Sequence, residues 1–251
     1  MKQINLLMLA ALVLLAIVSG WGKEVLAWIK QERAEAQVTT RTTSSAFAGE
    51  NGTFVMRDLS STSTVIINEQ EANIGYAPLA TFRIPLALIA QKTGELGDLN
   101  SFGLDAVDEQ AVVQRIGAEK IKQNLQKIKY GYEASDGTMR ITAREQVEFL
   151  SRLYTEKLPF DQATMQMIKK RMIQSEQAGI VYAGLVASGE VDSWYVGYVT
   201  AKEKTYVFAT HLTGKKERNK ETAKEITETI LKDMNVLPPE TNQRMEEEKR
   251  N

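Results

Sequence analysis

Side chains able to do chemistry are scarce in this sequence. It has one histidine, His211, and no cysteine among 251 residues. Structural zinc sites, CxxC redox pairs and disulfide frameworks therefore lack their ligands, and no metal or cofactor is expected. Among hydroxyl nucleophiles, Thr81, Ser101 and Ser188 are the candidates to weigh. Thr81 is followed three residues later by Ile84, so no base shares its helix face, and its ordinary role is to satisfy backbone groups at a helix start. Ser101 reads as a loop serine, and Ser188 lies on a different segment. His211, within Phe208-Ala209-Thr210-His211-Leu212, reads as a strand residue facing a neighbour rather than a triad member. Arg83 reads more readily as half of a structural ion pair than as an anion site. The 16 glycines form no GxGxxG and no GxxxxGK[ST], which removes the common phosphate-cradling loops. With 31 Lys+Arg against 32 Asp+Glu the net charge is −1, so there is no long-range field to recruit nucleic acid, and none is expected as a partner.

The elements that must position these residues follow from patterning. Thr53–Leu59 and Thr64–Asn68 are β-branched runs around a Ser/Thr turn, which predicts two strands. Leu79–Lys92 becomes helical in pattern, with Pro85 kinking or restarting its first turn and Gly94 offering a left-handed stop. Asp108–Ile128 predicts two helical pieces broken near Gly117. Thr142 with Glu145 is a capping box ahead of Val147, Leu150 and Leu153. Met165, Met167 and Met172 suit the packing of a core helix. Ile180–Val186, Trp194–Thr200 and Thr205–Leu212 read as strands, and Thr222–Met234 as a closing amphipathic helix. Strands, helices, strands and a final helix describe an α+β domain in which strands from both chain ends build one mostly antiparallel central sheet around a helical middle.

At the amino terminus, Ile4 to Gly22 is an uncharged, largely apolar run of 19 residues. That length approaches the roughly 20 residues that a helix needs to span a bilayer core. Residues 1–36 are accordingly read as a membrane anchor or signal segment. Trp21 and Trp28 suit the headgroup zone, and Ala34-Glu35-Ala36 is a possible cleavage form. Residues 37–48 read as a linker, 49–236 as one domain and 237–251 as a tail. The domain is expected outside the cytoplasm, anchored to the cell membrane, or secreted or periplasmic after cleavage.

The segment Tyr76-Ala77-Pro78-Leu79-Ala80-Thr81-Phe82-Arg83-Ile84-Pro85 resembles the Pro-x-Ser-Thr-Phe-Lys-Ile-Pro motif of class D β-lactamases. The likeness continues in order through Gly52-Thr53-Phe54-Val55, Ile141–Leu150, Leu153-Tyr154, Leu158-Pro159-Phe160 and Trp194-Tyr195-Val196-Gly197-Tyr198-Val199. It implies the β-lactamase/transpeptidase fold and an acyl-transfer site built from a serine and, three residues on, a lysine acting as base when carbamylated. At those positions stand Ala80, which has no attacking atom, and Arg83, which has no lone pair to accept a proton. No serine occurs between Ser63 and Ser101, so no shift of register restores the nucleophile. The Ser-x-Val motif falls near Leu104-Asp105-Ala106, which carries no hydroxyl. Tyr130-Gly131-Tyr132 stands where the family has Tyr-Gly-Asn, and with Trp194 these are the expected cleft positions for a ligand, the alternative for Tyr130 being a core aromatic. The Lys-Thr-Gly region corresponds to Tyr182–Gly189, and Met172 to Ala201 contains no lysine, arginine or histidine. The resemblance thus implies a catalytically inactive binding, sensing or interaction module. Its partner would be a weakly held β-lactam, a peptidoglycan-like ligand or a protein. The alternative is a weak hydrolase with a rearranged nucleophile.

Overall fold

The computed structural model describes residues 38–41, 45–95, 104, 109–215 and 219–238. The expected anchor at 1–36, the tail beyond residue 238, Ser101 and Asp105-Ala106 lie outside the described residues. Nine strands are present among the described residues: β1 (Val38–Arg41), β2 (Asn51–Asp58), β3 (Thr64–Ile67), β4 (Tyr132–Glu133), β5 (Met139–Arg140), β6 (Ile173–Gln177), β7 (Ile180–Ser188), β8 (Ser193–Ala201) and β9 (Lys204–Thr213). Seven of them form one sheet in the order β1-β3-β2-β9-β8-β7-β6, while β4 and β5 pair as a separate hairpin. Every pairing in the large sheet is antiparallel except β1 with β3. The ends of the chain meet where β2 pairs with β9, Asn51 opposite Thr213 through Asp58 opposite Tyr206.

Strand β8 shows why the sheet is central. Successive residues of a strand point to opposite faces, yet almost all of β8 is buried. Trp194, Val196 and Tyr198 enter the larger core, and Tyr195, Val199 and Ala201 the smaller one. Both faces are covered, so the sequence reads as a continuous apolar run instead of an alternation.

The larger core holds α2 (Arg83–Thr93), α3 (Glu109–Ile116), α4 (Ala118–Ile128), α5 (Ala143–Tyr154) and α6 (Gln162–Arg171), which follow the single-turn helix α1 (Glu69–Ala72). The smaller core is closed by α7 (Thr222–Asp233). Helix α2 has no polar stripe through its middle, and Ile84 to Ala90 are all buried, as in a helix enclosed on every side. It stops at Gly94, whose φ is 73° and suits a residue without a Cβ. Gly117, at φ 86°, separates α3 from α4. Thr142 and Glu145 make the reciprocal capping box that opens α5.

Three expectations need amendment. Residues 38–41, inside the stretch read as a linker, are an exposed edge strand, and Phe47 is buried within a 3-10 turn. The β-branched Val38-Thr39-Thr40 run favours a strand once β3 offers a pairing edge. The restart expected around Pro85 falls at Arg83, two residues before the proline. A 3-10 turn (Leu79–Phe82) runs directly into α2, so Pro85 sits in the first helical turn, where its missing N–H has no partner to lose. The helix at 162–171 starts at Asp161, whose carboxylate accepts the Thr164 N–H at 2.8 Å, and β6 follows it. The low apolarity of Gln174-Ser175-Glu176-Gln177 concealed that edge strand.

Candidate functional site

The segment carrying Ala80 and Arg83 is held at its approach by the sheet. Tyr76 and Ile141 exchange both backbone hydrogen bonds, at 3.0 and 2.8 Å. The indole N–H of Trp194 donates to the Ala77 carbonyl at 2.9 Å. Behind this anchor, His211 is stacked on Tyr76 at a centroid separation of 3.9 Å and lies 4.3 Å from the Trp194 ring. Its Nε2 is 3.6 Å from an Asp192 carboxylate oxygen. His211 is thus a wholly buried interior residue, consistent with the reading of a strand residue facing neighbours.

Pro78 then leads into the 3-10 turn, and Leu79 takes φ 52°. A bulky side chain in the left-handed region costs on the order of 1–2 kcal/mol, so packing must hold it there. Ala80 follows, partly exposed. The Thr81 hydroxyl is fully buried and donates to the Pro78 carbonyl at 2.5 Å. It accepts from the Gln146 side-chain amide at 2.8 Å, and that amide also reaches the Tyr130 hydroxyl at 3.4 Å. Burial pushes the Tyr130 phenol well above the usual range, opposed by its hydrogen bonds with Thr81 and Gln146, so it stays protonated.

Arg83, at the start of α2, pairs through Nε with the Glu109 carboxylate at 2.8 Å. Both side chains are roughly a quarter to a third exposed, 26% and 32%, so solvent screens the pair and its share of stability is modest. The guanidinium has no lone pair to accept a proton, and it is joined to a carboxylate from α3.

On the opposite side, β7 ends at Ser188, which is exposed. The Gly189 N–H donates to the Asp192 carbonyl at 2.8 Å and closes a tight turn into β8. The 3-10 turn packs against β7 and β8. A Cβ placed on Gly189 would sit 3.1 and 3.3 Å from the two δ-methyls of Leu79. The 3-10 turn and the β7–β8 turn meet at that contact.

Of the expected cleft positions, Tyr130 and Trp194 are interior, 1% and 0% exposed. Tyr130 packs edge-on against Phe149 at 4.9 Å, and neither ring offers a face to a ligand. They support the site from beneath. Gly131, at φ 59°, lies where a Cβ would be 2.4 Å from the Arg140 carbonyl. Tyr132 is 45% exposed on the β4–β5 hairpin, with its hydroxyl against Gly75. Glu109, Gln146 and Gly189 are the residues that sequence reasoning missed. Gln146 stood within the quoted Ile141–Leu150 likeness and could have been found. Glu109 had no local signal, being 26 positions from its partner.

A cavity of about 360 Å³ is lined by Gln174, Gly184, Leu185 and Lys224 among others, and by neither Ala80 nor Arg83. Among the described residues no cluster of three or more His, Asp or Glu is placed to hold a metal ion. None of the described helices is long and apolar enough to cross a membrane.

The model of the penicillin binding protein transpeptidase domain matches residues 72–232. The methicillin resistance mecR1 protein of Staphylococcus aureus is 28% identical, over 84% of this chain and 43% of that protein. The chain therefore spans less than half the length of that relative. The probable β-lactamase YbxI of Bacillus subtilis is 29% identical over 76% of this chain and 84% of its own. Among solved structures, the BPu1 β-lactamase superposes with TM-score 0.70 at 31% identity, covering 77% of this chain and 96% of that one. The C-terminal domain of the Bacillus licheniformis BlaR penicillin-receptor gives TM-score 0.72 at 24% identity, covering 81% and 99%, and shows the shared fold.

Proposed function

Because this chain belongs to the penicillin binding protein transpeptidase domain family and carries a class D β-lactamase-like domain, we propose that the domain is a non-acylating receptor. It holds a β-lactam or a peptidoglycan-like peptide by non-covalent contacts, or passes a signal to a protein partner, and performs no hydrolysis. It would be displayed outside the cytoplasm on the membrane segment read at residues 1–36. The observation that carries this reading is the pair of residues at the motif positions: a methyl group at Ala80 and an arginine already engaged by Glu109.

Acyl transfer needs an oxygen or sulfur nucleophile and a group to take its proton. Thr81, the nearest hydroxyl, is buried, and its proton is committed to the Pro78 carbonyl. Ser188 is exposed at the end of β7, and Met172 to Ala201 supplies it with no lysine or histidine. The same stretch supplies no cation for the carboxylate of a penicillin. Losing one charge-assisted hydrogen bond costs about 1.5–3 kcal/mol, so affinity would be about 10- to 100-fold weaker than in a relative that keeps the lysine. Relatives named as regulatory protein BlaR1 accord with a sensing role, and they stand beside relatives named as β-lactamases.

The test is direct. The purified chain, incubated with labelled benzylpenicillin, should show no added mass in intact-protein mass spectrometry and should leave a chromogenic cephalosporin unhydrolysed. A stoichiometric adduct on any side chain would overturn the proposal.

A further inference from the structure

The cavity of about 360 Å³ owes its place to two strands of unequal reach. Strand β6 pairs with β7 only as far as Ile173 opposite Ala183, with a register shift between Ile173 and Ser175, whereas β7 continues to Ser188. At that junction the Gly184 N–H donates to the Met172 carbonyl at 2.8 Å. The Gln174 side-chain amide donates to the Gly184 carbonyl at 3.0 Å, and its oxygen accepts from the Tyr195 hydroxyl at 3.2 Å. Both ends of Gln174 are committed, so it fixes the wall. The hollow is lined by buried Leu104, Met172 and Leu185. Three charged side chains complete it: Arg171 at the end of α6, Glu221 just before α7 and Lys224 in the first turn of α7. The Lys224 ammonium and the Glu221 carboxylate stand 3.9 Å apart, with side chains 29% and 52% exposed. A pair that long and that wet contributes little stability.

We infer that this cavity is a binding site for a free aliphatic α-amino acid, held as a zwitterion. A cation and an anion that stand near each other without closing on each other match the carboxylate and ammonium that an α-amino acid carries on one carbon. Lys224 takes the carboxylate, with Arg171 adding to the positive field, and Glu221 takes the ammonium. Exchanging the loose Lys224–Glu221 contact for two charge-assisted hydrogen bonds favours the bound state. The aliphatic side chain lies against Leu104, Met172 and Leu185 and leaves water. Two cations disfavour an alkylamine, and Glu221 disfavours a carboxylate that brings no amine. Ligand pockets run from about 300 to about 1,000 Å³. This one is at the small end, which suits one amino acid rather than a chain of them. Neither Ala80 nor Arg83 lines it, so the site adds to the receptor reading without depending on it.

Titration calorimetry and thermal shift on the full chain test this with leucine and valine of either hand. Saturable binding of at least one is expected. Isocaproate, which is leucine without its ammonium, and isoamylamine, which is leucine without its carboxylate, should bind at least tenfold more weakly. Lys224→Gln should weaken amino-acid binding at least tenfold. Glu221→Gln should abolish the preference for leucine over isocaproate, since only the ammonium contact is lost. Lys120→Gln, on the exposed side of α4, should change nothing. Melting temperatures equal to the wild type show that each variant is folded, and the two analogues probe the site in the wild-type chain should a variant fail to fold. Neither heat nor a rise in Tm with any of the amino acids up to tens of millimolar would overturn the site. Equal affinities for leucine and isocaproate in the wild type would overturn the zwitterion, and unchanged binding in both charge variants would overturn its placement here. A penicillin adduct would remove the non-acylating receptor and leave this site standing, whereas silent amino acids would remove this site alone.

Discussion

At the scale of single residues, the proposed inability to acylate rests on more than Ala80 and Arg83. Restoring Ala80→Ser with Arg83→Lys returns the attacking oxygen and an amine, but the amine arrives beside Glu109, which pairs with the native arginine. A lysine held as a cation by a neighbouring carboxylate is a poor base. The carboxylate anchor on β7 is also still missing. The double variant is therefore expected to remain without measurable turnover of a chromogenic cephalosporin, and clear hydrolysis would show that the cation on β7 is dispensable. The proposal that nucleophile and base are absent was legible in the sequence, because the motif around Ala80 keeps the order and flanking residues of the class D pattern it resembles. The Glu109 contact was not, since ion pairs between distant helices leave no periodic trace. The burial of Trp194 was missed, and a core role for Tyr130 was left as an alternative, because an aromatic in a cleft motif and an aromatic beneath one look alike until the sheet is assembled.

At the scale of elements, strands and helices with strong period or caps were readable, and those without were not. The capping box at Thr142 and the glycine break at Gly117 mark their helices from side-chain chemistry alone. Strands β1 and β6 lie at the two edges of the sheet and are almost wholly exposed or nearly so, so they lack the apolar signal that burial imposes. The β4–β5 hairpin that presents Tyr132 offers a titration test. The Thr138 hydroxyl and then its backbone N–H hold the Asp136 carboxyl down at about 2, helped less by Arg140. An unfolded aspartate titrates near 4 by comparison, at roughly 3.9. A folded value below the unfolded one contributes stability above about pH 4 that is lost as pH falls toward 2. Asp136→Asn should flatten the acid limb of the melting-temperature profile between those limits. Because the group is exposed to solvent, the change will be small. An unchanged acid limb would mean that the Asp136 turn adds nothing to stability.

At the scale of the whole molecule, both cores depend on the close approach of β7 and β8. A Cβ on Gly197 would lie 2.0 Å from the Ala183 carbonyl oxygen, and one on Gly184 would meet the Tyr195 ring at 2.5 Å. Gly197→Ala should force the two strands apart in the middle of the sheet. The expected loss is about 3 kcal/mol or more, on the order of 10 °C in Tm by calorimetry. A drop of under about 2 °C would show that the sheet yields there without strain.

The meeting of β2 with β9 fixes the order in which synthesis can finish this molecule. While the ribosome is still adding the helical middle, Phe54, Val55 and Met56 wait with one hydrogen-bonding edge unclaimed, because their strand partner is encoded some 150 residues downstream. Contacts so far apart in the chain form slowly, and an open apolar edge invites association with other chains meanwhile. Nascent chains stalled before Lys204 should therefore be the ones that chaperones hold and proteases clear, whereas release of the last hairpin lets the sheet zip shut.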